Sequence, residues 1–572
     1  MTFRVWAPAA ARVRVRTGGA DHEMTAAADG WWSCDVAAPP GTDYAFVLDD
    51  DETALPDPRS VWQPGGVHAP SRVHDHDVFA WTDHAWTGRP LPGGVIYELH
   101  IGTFTPEGTF DAAIDRLGHL VDLGVTFVEV LPVNAFDGTD GWGYDGVLWG
   151  AVHERYGGPD GFKRFVDACH ARGIAVVLDV VYNHLGPSGA YLDRFGPYFA
   201  GSNDWGPGLN LDGAGSDEVR RYVLDNALGW LRHFHVDALR LDAVHALADR
   251  RATHLLEELA VEVEALSAAV RRPLTLIAES DLNDPRLVTA REAGGYGLHA
   301  QWCDDLHHAL HVALTGERSG YYADFGAAGA LERTLTQAFF HAGTWSSFRG
   351  RAHGRPVDTR TVPGHRFLIY LQNHDQVGNR ATGDRLTGSV PVGRLACGAA
   401  IVFCSPYTPM LFMGEEWAAT TPWQFFASFP DPELADAVRT GRRREFARHG
   451  WGEAAVPDPV DPATVERSRL DWSEPAKAGH REVLELYRSL IALRRTRPEL
   501  TDPWLDRFRV RTEGSCLVLD RGPLRLVCNL GPDATDLTGP GRPAGEVLLS
   551  WGAATGSHLP PDTFVLIDTD RR

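Results

Sequence analysis

The chain has 572 residues, 44% hydrophobic and 23% charged, and its 54 basic against 76 acidic side chains give a formal net charge of −22. This is the composition of a folded protein, which excludes wholesale disorder, and the length allows about three to five folded units. The acidic balance disfavours nucleic acid and anionic membranes as partners. No apolar run approaches the ~18 residues needed to span a bilayer.

The cysteines and the first residues predict a cytoplasmic protein. Seven cysteines are scattered through the chain without a CxxC pair, a pattern that favours neither a disulfide scaffold nor a zinc site. The segment Met1–Trp6 lacks the charged and then apolar organisation of a signal peptide. We therefore expect a reducing compartment and no metal site.

The first 90 residues predict a β-sandwich. Short alternating runs such as Phe3–Trp6 and Tyr44–Leu48 lie between turns rich in Gly, Pro and Asp. The segment Gly88–Gly94 resembles a linker. The first unit is therefore predicted to cover residues 1–90.

Residues 91–500 predict a (β/α)8 TIM barrel of the α/β class, in which each strand is followed by a helix. Helical patterns lie between most of the strands, for example Asp160–Arg172 and Ser216–His233, where Ser216 is expected to be the N-cap. Residues 183–215 predict a long, ordered excursion over the barrel mouth. The strand-like runs are Val95–Ile101, Thr126–Leu131, Ile174–Val181, Asp237–Leu241, Leu274–Glu279, a weak Gly297–Trp302, Phe367–Leu371 and Met410–Met413.

The remaining residues, 501–572, return to short β runs and predict a C-terminal β-sandwich. The runs are Cys516–Leu519, Leu524–Leu530, Glu546–Trp551 and Phe564–Ile567.

Acidic residues follow several barrel strands at the end where barrel active sites form. Asp242 directly follows one predicted strand, Glu279 is the last residue of the next, and Asp375 ends the polar segment that follows the seventh. Cleavage of a glycosidic bond needs one carboxylate at the sugar carbon and one acid for the leaving oxygen. Arg240 shares a strand face with Asp242 and is expected to keep it ionised. Glu279 has a less charged setting, which predicts a protonated acid with a pKa of ~6–7.

Four segments in order resemble the signature regions of the α-amylase superfamily, glycoside hydrolase family 13: DVVYNH (179–184), LRLDAVH (239–245), IAESD (277–281) and LQNHD (371–375). The resemblance implies that Asp242 is the nucleophile, Glu279 the general acid/base and Asp375 the carboxylate that binds and distorts the sugar. It further implies a stacking tyrosine at Tyr144, sugar or carboxylate contacts from His184, Arg240 and His374, and a supporting Asp179 paired with Arg240. Asn183 is a second supporting residue, at a position that can serve calcium in relatives, but no complete oxygen cage accompanies it.

A finer resemblance is to the trehalose-releasing members of that family. It is carried by FRVWAP (3–8), WGYDGV (142–147), YGGP (156–159), QWCDDLHHALH (301–311), GERSGYYADFG (316–326), QVGNR (376–380) and MGEEW (413–417). It implies cleavage of the α-1,4 bond beside the terminal trehalose of malto-oligosyltrehalose, trehalose as product, and pairing with an enzyme that forms this substrate. The anomeric configuration would be retained by carboxylates ~5–5.5 Å apart. His245 and Trp417 are expected to contact the substrate, and no cofactor is implied.

Two other enzymes and one binding protein stay open as alternatives. A branching enzyme or a maltogenic amylase would carry the same carboxylates without a preference for a trehalose end. An inert glucan-binding protein would have lost a catalytic residue, yet Asp242, Glu279 and Asp375 are all present.

Two weaker patterns favour ordinary structure. His307 and His311 have the spacing of zinc ligands on a helix, but the accompanying Glu of H-E-x-x-H is missing, so we expect local hydrogen bonds. The run Arg442–Arg444 predicts a solvated or salt-bridged face.

Overall fold

The computed structural model describes residues 1–447, 456–536, 545–552 and 558–570, so parts of the predicted C-terminal unit lie outside the described residues. Two antiparallel sheets form the N-terminal region, with strand orders β1-β5-β4 and β3-β2-β6-β7. They pack through Phe3 and Tyr44, whose ring centroids are 4.8 Å apart, which is the arrangement that the alternating runs predict. The strands are β1 (Thr2–Trp6), β2 (Val13–Thr17), β3 (Ala20–Glu23), β4 (Thr25–Ala26), β5 (Trp31–Asp35), β6 (Asp43–Leu48) and β7 (Ser71–Arg72).

Eight parallel strands close into the predicted barrel, in the ring order β8-β9-β12-β15-β16-β17-β20-β21. The sixth strand of the ring is only three residues long, which explains its weak sequence pattern. The strands of this region are β8 (Ile96–Leu99), β9 (Phe127–Val130), β10 (Asn134–Ala135), β11 (Leu148–Val152), β12 (Ala175–Val180), β13 (Phe199–Asn203), β14 (Gly206–Leu209), β15 (Ala238–Leu241), β16 (Thr275–Ala278), β17 (Ala300–Trp302), β18 (Thr344–Ser346), β19 (Arg351–His353), β20 (Phe367–Ile369) and β21 (Thr408–Phe412).

The side chains inside the barrel change from apolar to charged along the strands. Alternate residues of a strand share one face, and the inward residues nearest the strand N-termini form an apolar cluster that includes Ile96, Phe127 and Val177. The next inward residues toward the strand C-termini are charged and buried: Glu98, Glu129, Asp179 and Arg240. Buried charges are costly unless they are paired, so this polar layer marks the end of the barrel that carries function.

Helices cover the outside of the barrel, with one exception to the prediction. Between β16 and β17 the chain forms only short 3-10 turns, at Pro285–Leu287 and Arg291–Ala293. The α-helices are α1 (Ile101–Phe104), α2 (Phe110–Ile114), α3 (Leu117–Leu123), α4 (Gly158–His170), α5 (Leu192–Phe195), α6 (Ser216–His233), α7 (Leu255–Val270), α8 (Asp304–Thr315), α9 (Ala330–Gln337), α10 (His374–Gly378), α11 (Val392–Cys404), α12 (Pro432–Ala447), α13 (Pro462–Ser468), α14 (His480–Thr496) and α15 (Pro498–Thr501).

Two further findings concern these helices. The predicted N-cap of α6 is wrong, because Gly215 occupies the cap position in a left-handed conformation and Ser216 lies inside the first turn. In the part of the chain that the structure describes, no helix combines the length and apolar character needed to cross a bilayer.

The described C-terminal residues form a five-stranded antiparallel sheet of order β22-β23-β24-β28-β26 and a two-stranded sheet of β25 and β27. Cys528 of this sheet lies against α11 of the barrel, with its Sγ 3.9 Å from the Cys397 carbonyl oxygen. The strands are β22 (Phe508–Glu513), β23 (Cys516–Arg521), β24 (Leu524–Asn529), β25 (Thr535–Asp536), β26 (Glu546–Trp551), β27 (His558–Leu559) and β28 (Thr563–Asp568).

Candidate active site

A cavity of about 540 Å³ opens at the C-terminal ends of the barrel strands. Its size suits a ligand with several sugar-sized units rather than a single small ion. Six of the residues singled out from the sequence line it: Tyr144, His184, Asp242, His245, Glu279 and Asp375.

Arg240 joins the carboxylates beneath this cavity. Its Nη1 donates to both carboxylate oxygens of Asp179 at 2.9 Å and to Asp242 Oδ1 at 2.7 Å, while its Nη2 lies 3.8 Å from Glu279 Oε2. Burial alone would lower the pKa of Arg240, but Asp179 and the neighbouring acidic groups raise it well above its ordinary value. A permanent cation therefore supports the negative charge of Asp242.

Asp242 is held from its other side by an amide. Asn183 Nδ2 donates to Asp242 Oδ2 at 2.7 Å and to the Asp242 backbone oxygen at 3.0 Å. Asn183 is itself fixed, because Asn203 of the hairpin β13–β14 donates to its backbone oxygen at 2.7 Å. Both oxygens of the Asp242 carboxylate thus have a defined partner and a defined orientation.

Glu279 rises from the neighbouring strand. Leu241 and Ala278 are register partners in β15 and β16, so the residues that follow them, Asp242 and Glu279, leave the barrel side by side. Burial raises the pKa of Glu279 to about 8; Arg240 opposes the rise and Asp242 adds to it. The direction is the one predicted from the sequence, and a neutral carboxyl near pH 7 can donate a proton.

Tyr144, His374 and Glu98 form a stacked and hydrogen-bonded wall. The Tyr144 hydroxyl donates to Asp179 Oδ2 at 2.6 Å and lies 2.7 Å from His374 Nε2. His374 Nδ1 lies 2.6 Å from Glu98 Oε1, and the His374 backbone N–H donates to Glu98 Oε2 at 3.0 Å. Burial would lower the pKa of His374, but Asp375 and Glu98 raise it to about 9.

Asp375 is the most open of the three candidate catalytic carboxylates. Its side chain keeps 41% of its accessible surface, compared with 13% for Asp242 and 15% for Glu279. It lies in the first turn of α10, 3.5 Å from His374 Nε2, and accepts from Asn379 Nδ2 at 3.2 Å. A carboxylate that faces the cavity in this way can accept hydrogen bonds from sugar hydroxyls.

His184, His245 and Trp205 form one side of the mouth. The His184 ring stacks on Trp205 at a centroid distance of 6.0 Å, and its Nε2 lies 3.0 Å from the Tyr144 carbonyl oxygen. His245 meets the edge of Trp205 at 5.9 Å and points its Nε2 toward Asp281 Oδ1, 3.9 Å away. Trp205 sits in the turn of the hairpin within the predicted excursion and exposes 48% of its surface, so it offers an aromatic face to a ligand.

One of the predicted substrate contacts needs correction, and two other predicted residues lie beneath the cavity. Trp417 is fully buried, does not line the cavity and donates its indole N–H to Glu474 Oε2 at 3.2 Å, so it packs behind the barrel end. Arg240 and His374 are also fully buried and lie beneath the cavity wall, where they bind carboxylates. For Arg240 and His374, the resemblance implied contact with the sugar or with a carboxylate, so their observed position agrees with it. For Trp417 the predicted contact is wrong.

Several cavity residues were not found from the sequence. Asp304 lines the cavity and accepts from the Tyr370 hydroxyl; burial raises its pKa to about 6, with Tyr370 opposing. Phe348 and Arg349 line it from the tip of the hairpin β18–β19. The signals were weak, because Asp304 follows a strand of only three residues and the hairpin has no clear alternation.

Arg442 corrects the interpretation of the arginine run. It forms the expected ion pair with Glu445, at 3.0 Å, but it also lines the cavity and lies over the Phe425 ring at 4.9 Å. The first arginine of the run is therefore part of the cavity wall rather than a solvated face.

The helix α8 histidines have local partners, as predicted. His307 Nε2 lies 3.2 Å from the Tyr322 hydroxyl, and His311 Nε2 lies 2.8 Å from Glu317 Oε2. Across the described residues, the structure holds no group of three or more His, Cys, Asp or Glu side chains arranged to bind a metal ion.

Comparison with known proteins places this geometry in context. The family model described as "Alpha amylase, catalytic domain" matches residues 70–205, and a "Domain of unknown function (DUF3459)" matches residues 503–566. The chain is 56% identical over 555 residues to malto-oligosyltrehalose trehalohydrolase of Mycobacterium tuberculosis (strain ATCC 25618 / H37Rv), covering 96% of this chain and 95% of that protein. The protein of the same name from Saccharolobus solfataricus is 43% identical and covers 86% of this chain and 85% of its own length.

Solved structures share the fold. A crystal structure described as a "Putative alpha Amylase from Salmonella typhimurium" has a TM-score of 0.91 and 39% identity, covering 99% of this chain and 97% of that chain. A pullulanase from Anoxybacillus sp. LM18-11, solved with maltotetraose, has a TM-score of 0.72 at 18% identity and covers 99% of this chain and 86% of that chain. The similarity to the pullulanase shows a shared fold only.

Proposed function

The chain belongs to the malto-oligosyltrehalose trehalohydrolases of the α-amylase family, and from that we infer how its own residues release trehalose. It is a glycoside hydrolase that cleaves the α-1,4-glucosidic bond beside the terminal trehalose of malto-oligosyltrehalose. The observation that carries this function is the pair Asp242 and Glu279, from adjacent strands, facing one substrate-sized cavity above the same arginine.

In the first step, we propose that Asp242 attacks the anomeric carbon of the malto-oligosaccharide. The bond from that carbon to the trehalose oxygen breaks while Glu279 gives its proton to the leaving oxygen. Trehalose departs, and a glycosyl ester of Asp242 remains. Arg240 and Asn183 hold the two Asp242 oxygens during the attack.

In the second step, the ionised Glu279 removes a proton from a water molecule. The water oxygen attacks the anomeric carbon, the ester bond to Asp242 breaks, and the malto-oligosaccharide leaves with its original anomeric configuration. Adjacent barrel strands lie about 4.8 Å apart, so register partners deliver side chains at the short separation of ~5–5.5 Å used by retaining enzymes. This spacing supports retention.

Asp375 and Tyr144 are proposed to bind the sugar at the point of cleavage. Asp375 is open to the cavity and accepts from hydroxyl groups, and Tyr144 presents a ring held flat against His374 at a centroid distance of 5.2 Å. His184 meets the face of Trp205 and His245 meets its edge, and both histidines line the mouth of the cavity.

The test compares two substrates of equal length. Malto-oligosyltrehalose and the corresponding linear malto-oligosaccharide are supplied separately, and free trehalose and new reducing ends are followed. We expect preferential trehalose release, and proton NMR of the malto-oligosaccharide released at early times should show the α-anomer. Chain transfer would indicate a branching enzyme instead. Equal cleavage of the linear substrate would indicate a maltogenic amylase, and no turnover of either substrate would indicate a binding protein.

We propose that the enzyme works in the cytoplasm beside an enzyme that forms malto-oligosyltrehalose. Six of the seven cysteines are buried free thiols and Cys34 is half-buried, a state that suits a reducing compartment. Cell fractionation followed by the trehalose assay on each fraction tests the location, and activity confined to a secreted fraction would contradict it.

A further inference from the structure

An unbroken chain of hydrogen-bonding groups runs across the floor of the site from the first barrel strand to the nucleophile. It begins at Glu98 in β8 and passes through His374 and the Tyr144 hydroxyl to Asp179. From Asp179 it continues through Arg240 to Asp242. The Glu98 side chain is fully buried and was not recognised from the sequence.

The directions of these hydrogen bonds determine the protonation of His374. Asp179, ionised at pH 7.5, can only accept, so the single hydroxyl proton of Tyr144 points to Asp179. The Tyr144 oxygen must then accept from His374, which places a proton on Nε2. Glu98 Oε2 already accepts the His374 backbone N–H, and Oε1 lies 2.6 Å from Nδ1, so an ionised Glu98 requires a second ring proton, on Nδ1.

We propose that Glu98 is a positioning residue that holds His374 as a doubly protonated cation beneath the cleavage site. This role rests on the proposed function, because it concerns the same site. The cation lies 3.5 Å from Asp375 Oδ1, the carboxylate that faces the cavity as an acceptor for sugar hydroxyls. The same proton on Nε2 fixes the Tyr144 hydroxyl and therefore the plane of the ring that faces the substrate.

The surroundings of His374 support one positive charge there. Glu98 and Asp375 favour the cation, as does the more distant Asp179, while the Arg240 cation opposes it; the Trp142 and Trp302 rings close the remaining sides at 5.7 and 5.9 Å. Glu129 faces the same interior from the register position opposite Glu98. Burial raises the pKa of Glu129 well above its ordinary value, with Glu98 adding to the rise, so Glu129 carries the neutral form.

The variant Glu98→Gln separates charge from geometry. A glutamine amide can accept the His374 backbone N–H through its oxygen and donate to Nδ1 through its nitrogen, so the bond to Tyr144 survives while His374 becomes neutral. The matched control is Glu129→Gln, a substitution of the same shape at the neighbouring buried position. Because burial keeps Glu129 neutral, its replacement removes no charge.

The first measurement is ¹⁵N NMR of histidine-labelled protein at pH 7.5, with the His374 signals assigned from their loss in His374→Gln. We expect both ring nitrogens to be protonated in the wild-type protein and in Glu129→Gln, and one to be unprotonated in Glu98→Gln. A singly protonated His374 in the wild-type protein, or the same ring state in Glu98→Gln, would overturn the proposal. This readout needs no substrate, so it stands apart from any failure of the trehalose assay.

The second measurement is the pH profile of kcat/KM for trehalose release. Loss of a carboxylate that orients a metal-binding histidine typically costs about 10–100-fold in activity, and we expect a loss of the same size for Glu98→Gln at pH 7.5. The ratio of variant to wild-type activity should rise as the pH falls from 8 to 6, because His374 regains its proton. A merely structural role for Glu98 would leave that ratio flat, which would refute the charge argument.

Discussion

Glu279 Oε2 accepts a hydrogen bond of 2.6 Å from the backbone N–H of Ala243, the residue that follows the nucleophile. Ala243 reaches this position through a left-handed conformation, with φ of 39°. Because Oε2 is occupied as an acceptor, the proton of the neutral carboxyl belongs on Oε1. The chain turn after Asp242 thus selects the oxygen of Glu279 that gives the proton.

The raised pKa of Glu279, about 8, predicts the alkaline limit of activity. As general acid it must be protonated, so kcat/KM of the wild-type enzyme should fall as the pH rises through about 8. Glu279→Gln should lower kcat about 10²–10⁴-fold, the range for losing a general acid, and abolish that limb. Steady-state trehalose release between pH 5 and 10 measures both effects, and an unchanged limb in the variant would contradict this assignment.

The same group affects stability with a definite sign. The pKa of Glu279 is raised from its ordinary 4.5, so the folded state binds the extra proton. Its contribution is fully present below about pH 4.5 and is lost as the pH rises through about 8. The Glu279→Gln variant should therefore gain thermal stability relative to the wild-type protein across that interval, and a constant difference in Tm would count against a neutral Glu279.

Asp242→Asn should abolish turnover while substrate binding persists. The amide keeps the shape but lacks the charge needed to attack the anomeric carbon, and its single oxygen can accept from only one of the two donors, Asn183 or Arg240. Isothermal titration with malto-oligosyltrehalose measures binding, and the trehalose assay measures turnover. Recovery of activity with added azide, giving product of inverted configuration, would support the assignment; wild-type turnover in the variant would refute it.

Trp205 and Trp417 should respond in opposite ways. Trp205→Ala removes an exposed ring at the mouth and should raise KM about 2–12-fold, the equivalent of one aromatic contact of about 0.5–1.5 kcal/mol, with little change in Tm. Trp417→Phe removes a buried indole hydrogen bond, which leaves Glu474 without one donor, and should cost about 1–3 kcal/mol of stability with little change in KM. The reverse pattern would show that Trp417 reaches the substrate after all.

Gly378 and Gly229 form a contrasting pair of glycines. A Cβ at Gly378 would lie 2.0 Å from Trp142 Cη2, so Gly378→Ala must displace a ring of the cavity wall, costing about 1–3 kcal/mol and reducing activity. Gly229 lies inside α6 with nothing within 4 Å of its Cβ position, so Gly229→Ala should stabilise by about 1 kcal/mol. Chemical unfolding measures both, and equal effects would contradict the packing around Trp142.

The barrel was predictable because its strands are continuous apolar runs that end in polar residues. The structure confirms all eight, and the first of them, predicted as Val95–Ile101, is observed as Ile96–Leu99. Asp242 and Glu279 could be singled out because a charge after a buried strand is costly unless it is used. The limits of the three units at residues 90/91 and 500/501 stay a prediction.

The partners of these residues were harder to predict, because they come from distant parts of the chain. Glu98 binds His374 across 276 residues, and Trp417 binds Glu474 across 57. A sequence read locally shows a lone acid in the run VIYELHI, which signals that Glu98 is unusual but not which residue it meets. The missing helix after β16 is explained locally, since Pro285 and the glycines 294 and 295 favour turns.

Closure of the barrel has a consequence for synthesis. The last strand, β21, completes the ring by pairing with β8, with Met410 opposite Ile96. While the nascent polypeptide is still emerging from the ribosome, Glu98 and Asp375 can both have been synthesised before the barrel that brings them together has closed. Catalytic competence therefore cannot appear before the segment Thr408–Phe412 has left the exit tunnel and joined the two ends of the sheet.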